Sequence, residues 1–178
     1  LAPTGTISSL RRRDRHVVVV QGAVTPLVED GDDAIGCVVT FRNVTATRRL
    51  TNELKYQATH DSLTGLHNRR AFESKLQRAI ASASQQQACH SIICIDLDRF
   101  KAVNDALGHR GGDRFLSVLA DRLGRAVVRD SIVGRMGGDE FVVALPDVQP
   151  HDALKAATQI VSALAQPVHA EGREMPSS

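Results

Sequence analysis

Apolar positions along this chain change their period several times, and each change marks an element. HVVVVQGAV (16–24) and AIGCVVTFRNV (34–44) are dense in β-branched residues and predict two strands. Between them EDGDD (29–33) carries Asp-Gly turn chemistry, so the pair reads as an antiparallel hairpin. Residues 1–15 ahead of it are polar and basic, with RRRDR as a solvated turn. From Thr45 to about Thr59 glycine and proline vanish, and Leu50, Leu54, Gln57 and Ala58 share a thin helical face. A face that narrow needs a partner helix, so this segment reads as a connector.

Periodicity continues past His60. Asn68 caps a predicted helix running to about Ser84, with Phe72, Leu76, Ala79 and Ile80 as its apolar stripe. SIICIDL (91–97) is apolar without alternation, as a central strand buried on both faces would be. A helix follows over about 99–107, then the glycine-rich GHRGGD (108–113) as a loop. The next helix, about 113–128, turns Phe115, Leu116, Leu119 and Leu123 inward. Two short apolar runs around Gly137-Gly138 predict a hairpin. A last helix, about 151–165, carries Leu154, Ala157, Val161 and Leu164. The order α-β-α-α-β-β-α predicts an α/β fold, helices packed on a mainly antiparallel sheet, after the N-terminal hairpin and connector. No internal repeat is visible.

Composition changes this picture little. The 178 residues are 42% hydrophobic and 24% charged, which is ordinary for a folded chain. A net charge of +2 is too small to point to nucleic acid or an anionic membrane. Cys37, Cys89 and Cys94 lack metal-binding spacing and read as reduced thiols in a cytoplasmic setting. No apolar run approaches the roughly 18 residues that span a bilayer, and the N-terminal residues show no signal-peptide pattern. The chain starts at Leu1 and ends in the polar EGREMPSS, so it reads as part of a longer protein, with room for a membrane anchor upstream.

The charge that does need explaining sits in RMGGDEF (135–141). Gly137 and Gly138 suit a two-residue turn with positive φ at both positions, and they leave backbone open to a ligand. Asp139 and Glu140 would begin the outgoing strand and point to opposite faces. The bland alternative is a hairpin with two solvated acids. Asp96 and Asp98 stand where the burial of SIICI stops. Asp98 can cap the helix from Arg99, but Asp96 has no structural task and needs a base or a cation. If the hairpin pairs beside this strand, Asp96 and Asp139 converge into an oxygen site that suits Mg²⁺. The free N–H groups of Arg99 and Phe100 would face the same place and suit phosphate. Asp113 can accept two hydrogen bonds from guanine and Asn104 can donate to ring acceptors. The same two residues also read as a helix cap and a turn former.

RMGGDEF, IDLDRFKAVNDALGHRGGDRFL and HDSLTGLHNRRAFE together resemble the GGDEF domain of diguanylate cyclases, in that family's order from about residue 60 onward. The resemblance implies a palm-like domain that condenses two GTP into cyclic di-GMP with Mg²⁺ (or Mn²⁺). It implies Asp96, the Leu97 carbonyl and Asp139 as metal ligands, and Asn104 and Asp113 as guanine contacts. It further implies Arg99 and Phe100 as backbone phosphate contacts and Glu140 as an acid for a metal or general-base role, beside the glycine turn Gly137-Gly138. Since each domain offers one GTP site, a homodimer of facing domains joined through the connector is expected. No nucleic-acid or membrane partner is expected.

Residues 1–46 resemble the C-terminal end of a PAS sensor domain, with 47–60 as the connector and 61–178 as the GGDEF domain. An unrelated hairpin is the alternative to the PAS reading. Two departures from the family stand out. The R-x-x-D of the inhibitory product site is replaced by Val128 and Ser131, with Arg129-Asp130 out of step, so no such feedback site is expected. The family's further strand and cation-bearing helix would lie beyond Ser178, so this chain is expected to have little cyclase activity. Rival readings are a larger PAS-GGDEF-EAL protein whose net activity is cyclic di-GMP hydrolysis, and a regulatory domain that binds GTP without turnover.

Overall fold

In the computed structural model, described for residues 6–28, 34–86, 89–128, 130–170 and 173–175, the chain divides into two compact units, Leu1–Lys55 and Tyr56–Ser178. The EDGDD turn and Arg129 lie outside the described residues.

The first unit is a three-stranded antiparallel sheet of β1 (Thr6–Arg11), β2 (Val17–Val28) and β3 (Ala34–Asn43), in that order. The β2–β3 hairpin was expected and β1 was not. TISSLR has no apolar run, and it becomes a strand because β2 offers its edge in register, Ile7 opposite Gln21 and Leu10 opposite Val18. The predicted basic turn survives at residues 12–15, where the Arg12 N–H reaches the His16 carbonyl at 2.8 Å and Arg15 adopts φ 67°. Among the described residues of this unit only Val20 is a buried apolar residue; Val24, Ile35 and Phe41 are more than 60% exposed. Helix α1 (Thr45–Thr59) leaves directly from the sheet: the Val19 N–H donates to Thr45 Oγ1 at 2.8 Å. Nothing on α1 is buried, in keeping with its thin apolar face.

The second unit carries the core. Its sheet order is β4-β6-β7-β5, from β4 (His67–Asn68), β5 (Ser91–Ile95), β6 (Ile132–Gly137) and β7 (Glu140–Leu145). All pairings are antiparallel except the short β4–β6 bridge. Helix α2 (Arg69–Gln86) is capped as expected, with Asn68 Oδ1 accepting the Ala71 N–H at 3.0 Å, a contact worth about 1 kcal/mol. Its Phe72 lies against β6, where a Cβ on Gly134 would come within 2.9 Å of the ring. Helices α3 (Phe100–Ala126) and α4 (Pro150–Leu164) cover the other face, packing Phe115, Leu116, Leu119, Leu123, Ile160 and Leu164 with Phe141, Val143 and Leu145. Burying each of these large side chains stabilises the fold by roughly 1.5–3 kcal/mol.

Three expectations are corrected here, and one element is new. Among the described residues SIICI is an edge strand, not a central one: its burial alternates, Ile92 is 50% exposed, and β7 is the one described strand paired with it. GHRGGD is mostly helical, and α3 is interrupted at Gly108 alone (φ 70°, ψ 170°). On α4 the inward residues are Ala153, Ile160 and Leu164, while Leu154 and Val161 are 70% and 66% exposed. The polar end forms a hairpin, β8 (Val168–Ala170) with β9 (Arg173–Met175), and Val168 is fully buried. Arg122 fixes its approach by donating to the carbonyls of Gln166 and Pro167. His90 pins the start of β5, donating from Nε2 to the Ala79 carbonyl at 2.7 Å while its Nδ1 accepts the Asp147 N–H at 3.0 Å.

Candidate functional site

The glycine turn between β6 and β7 differs from a plain two-residue hairpin. Arg135 pairs with Phe141 and Gly137 with Glu140, so Met136 is an extra residue that makes a bulge. Gly138 and Asp139 form the turn, one place later than expected. Both glycines have the positive φ expected of them, 142° at Gly137 and 53° at Gly138, while Asp139, the second turn residue, is not among the positive-φ residues. The outgoing strand begins at Glu140, and Asp139 is the half-buried second residue of the turn.

An arginine holds this turn in shape. Arg135 donates from Nε and Nη2 to the Gly138 carbonyl, at 3.0 and 2.7 Å, and from Nη1 to Asp61 Oδ1 at 3.0 Å. Asp61 Oδ1 also accepts the Thr64 N–H at 2.9 Å and the Thr64 hydroxyl at 2.6 Å. Side-chain exposures of 12% for Arg135 and 24% for Asp61 place this pair in a largely desolvated setting. Burial alone would raise the Asp61 pKa; the Thr64 bonds and Arg135 outweigh it and hold the carboxyl below its ordinary value. Sequence reasoning assigned none of these three residues a task. The signal available was Asp61 three residues before Thr64, a local side-chain-to-backbone turn pattern, together with the arginine that opens RMGGDEF.

The register between β5 and β7 places the acids. Ile95 faces Phe141, so one step further Asp96 stands across from Glu140. Both line a small surface pocket of about 270 Å³ with Cys94, Met136 and Val142. The acid directly across from Asp96 is therefore Glu140, with Asp139 next to it in the turn. Among the described residues none of Asp96, Asp139 and Glu140 has an ion-pair partner, and no three His, Cys, Asp or Glu side chains form a closed metal cage. Two uncompensated carboxylates at an open strand end fit a hard divalent ion that keeps waters and takes its remaining oxygens from a substrate.

After Ile95 the backbone turns sharply into α3. Arg99 takes a left-handed conformation (φ 58°, ψ 25°), which costs a non-glycine residue of order 1 kcal/mol, and it occupies the helix cap position without a side-chain bond. Asp98 therefore does not cap the helix, which begins at Phe100. Asp96, Leu97 and Asp98 instead line the mouth of a second pocket, about 180 Å³, floored by Phe115, Leu119 and Leu164. The Phe100 N–H makes only a long bond of 3.4 Å to the Leu97 carbonyl.

The other two residues singled out in the sequence, Asn104 and Asp113, both lie on α3. A Cβ on Gly112 would fall 1.9 Å from Asn104 Oδ1, so glycine there leaves room for the Asn104 side chain to lie against the later half of the helix. The break at Gly108 folds the two halves close enough for this. Asn104 is half-buried and Asp113 exposed.

Comparisons with known proteins identify the family. The family model described as "Diguanylate cyclase, GGDEF domain" matches residues 58–177. The chain is 39% identical over 145 residues to the probable diguanylate cyclase DgcE of Escherichia coli, covering 82% of this chain and 13% of that protein. It is 38% identical over 162 residues to the diguanylate cyclase TpbB of Pseudomonas aeruginosa, covering 89% of this chain and 37% of that one. Among solved structures, the GGDEF domain of TpbB superposes with a TM-score of 0.64 at 39% identity, over 67% of this chain and 70% of that one. The coiled coil and GGDEF domain of DgcB from Caulobacter crescentus, solved with c-di-GMP, gives 0.68 at 27% identity, over 76% and 71%. The chain thus spans well under half the length of those two curated relatives.

Proposed function

The chain belongs to the GGDEF-domain diguanylate cyclase family, and on that premise we propose that the protein containing it condenses two GTP into cyclic di-GMP as a homodimer of facing domains. The observation that carries this is a group of acids without ion-pair partners among the described residues, Asp96 and Glu140 across the strand end with Asp139 next to Glu140 in the braced glycine turn. Asp96, the Leu97 carbonyl and Asp139 would hold Mg²⁺ or Mn²⁺, which when bound acidifies a 3′-hydroxyl and neutralises charge developing on a phosphate. Asp113 and Asn104 select guanine, the carboxylate accepting from the ring N–H and exocyclic amine that adenine does not present together. The N–H groups of Arg99 and Phe100 orient the phosphates, and Glu140 accepts the hydroxyl proton. One GTP per domain means that the attacking and attacked nucleotides come from two copies, so positioning of the copies sets the rate. The residue 1–55 unit, read as the end of a PAS domain, supplies that control through α1, which its sheet grips at Thr45.

Calorimetric titration with a non-hydrolysable GTP analogue tests the site. Saturable binding that requires Mg²⁺ is expected; Asp96→Ala or Asp139→Ala weakens it about tenfold or more. The ATP analogue is rejected by at least about 100-fold. Binding indifferent to both substitutions would sink the reading. Product analysis of the full-length protein then decides between cyclase and a domain that binds GTP without turnover.

A second reading is favoured by one observation. The chain is 37% identical over 131 residues to MucR of Pseudomonas aeruginosa, a bifunctional diguanylate cyclase and cyclic di-GMP phosphodiesterase, covering 74% of this chain and 19% of that protein. In that reading the larger protein also hydrolyses cyclic di-GMP, and consumption of added cyclic di-GMP by the full-length protein is its test.

A further inference from the structure

Away from the acids, the junction of α1 and α2 forms a pocket of about 450 Å³ whose polar lining includes His60, His67, Arg70, Ser74, Lys75 and Arg78, with no carboxylate among its lining residues. Arg70, Ser74 and Arg78 recur every four residues on one face of α2, and Lys75 stands on the adjoining row, so three cations converge within two turns. The acid nearest in sequence, Glu73, is paired to Arg69 at 3.3 Å and stands outside the pocket. Among the described residues neither Arg70 nor Lys75 has an ion-pair partner; Arg78 donates to Ser74 Oγ at 3.2 Å.

The imidazoles are placed rather than loose. His60 stacks on Tyr56 with ring centroids 4.0 Å apart, and its Nδ1 is engaged by the Thr59 hydroxyl and the Tyr56 carbonyl, which leaves Nε2 for a ligand. His67 lies 4.8 Å from His60, and its Nδ1 is buried with no hydrogen-bond partner. Burial, then Lys75, then His60 push the His67 pKa below its ordinary value, against a backbone bond at Thr59 that raises it.

We propose that this pocket is a binding site for a phosphoryl anion of more than one negative charge, held by Arg70, Lys75 and Arg78 with His60 and His67 at its floor. The proposal stands independently of the GTP reading. Soluble phosphoanion and lipid headgroup share the chemistry and are separated by the test.

The test is a pyrophosphate titration of the 178-residue chain in the presence of a chelator, so that no divalent ion is available at the acids, followed by histidine-ring NMR. Saturable shifts of the His60 and His67 signals are expected, with the His67 midpoint moved upward as the anion offsets Lys75, His60, Arg70 and Arg78. The double variant Arg70→Ala/Arg78→Ala weakens binding about tenfold or more. Lys75→Gln, an exposed charge-only change, weakens it in the same direction and serves if the double variant does not fold. Asp96→Asn leaves it unchanged. Vesicles containing phosphatidic acid, whose phosphomonoester headgroup can carry two charges, compared with neutral ones, form the second arm: retention by them that depends on Arg70 and Arg78 assigns the headgroup, and binding of pyrophosphate alone assigns the soluble anion. Ring signals unmoved by pyrophosphate together with no vesicle retention overturns the proposal, as does a shift abolished by Asp96→Asn.

Discussion

The two units of this chain use apolar residues in opposite ways. The sheet of residues 6–43 is as rich in valine and isoleucine as any part of the protein, yet Val20 is its one buried apolar residue among those described. In the unit from Tyr56 onward a contiguous core runs from Phe115 through Val143 to Val168. The lesson is that β-branched sequence secures pairing, while stability comes from a second layer to pack against. Chemistry follows the same division: the acids, the asparagine and the braced turn all sit on elements anchored in the packed unit.

The sharpest way to break the comparison is to empty the core. Leu119→Ala or Phe141→Ala is expected to cost about 3–5 kcal/mol, read as a lower urea midpoint for the second unit. A loss under 1 kcal/mol would mean that the core described for this unit does not carry its stability.

Next in size is the brace. Removing Asp61 leaves Arg135 half-satisfied in a desolvated place, an expected loss of about 1–3 kcal/mol. Its pH dependence has a definite sign. The folded pKa of Asp61 is held below the unfolded one, so the stabilisation is complete above the unfolded carboxyl value, about 4. It is lost as pH falls through the lowered folded value. Asp61→Asn should remove that part of the acid dependence from urea titrations below about pH 4; an unchanged acid limb would contradict the assignment.

Of similar size is Gly112→Ala, whose new methyl has to displace Asn104 and is expected to cost about 1–3 kcal/mol. Guanine-nucleotide affinity should fall further than stability explains, which calorimetry on the folded variant would show. Smallest is Val24→Ser in the first unit, within about 0.5 kcal/mol. Hydrogen exchange should agree, with slow amides at Val143 and Leu145 and fast ones at Val24 and Val39.

Much of this was readable in the chain, and the failures have physical causes. The Asn68 cap, the strands flanking the glycine turn and the inward set Phe115, Leu116, Leu119, Leu123 were legible because local chemistry and period agree there. SIICI misled because an apolar run records hydrophobicity, not the number of neighbouring strands. On α4, Leu154 with Val161 and Ala153 with Ile160 have the same seven-residue spacing, and only docking decides which set turns inward. The bulge at Met136 and the two-residue β4 carry no periodic signal at all. Asp61 escaped notice because its partner Arg135 is 74 positions away.

The bulge has one more consequence. An extra residue on one rail of a ladder makes that rail bow, and the bow depends on how many residues are threaded there, not on which. Over evolutionary drift the slot at Met136 should therefore accept changed letters far more readily than a lost one.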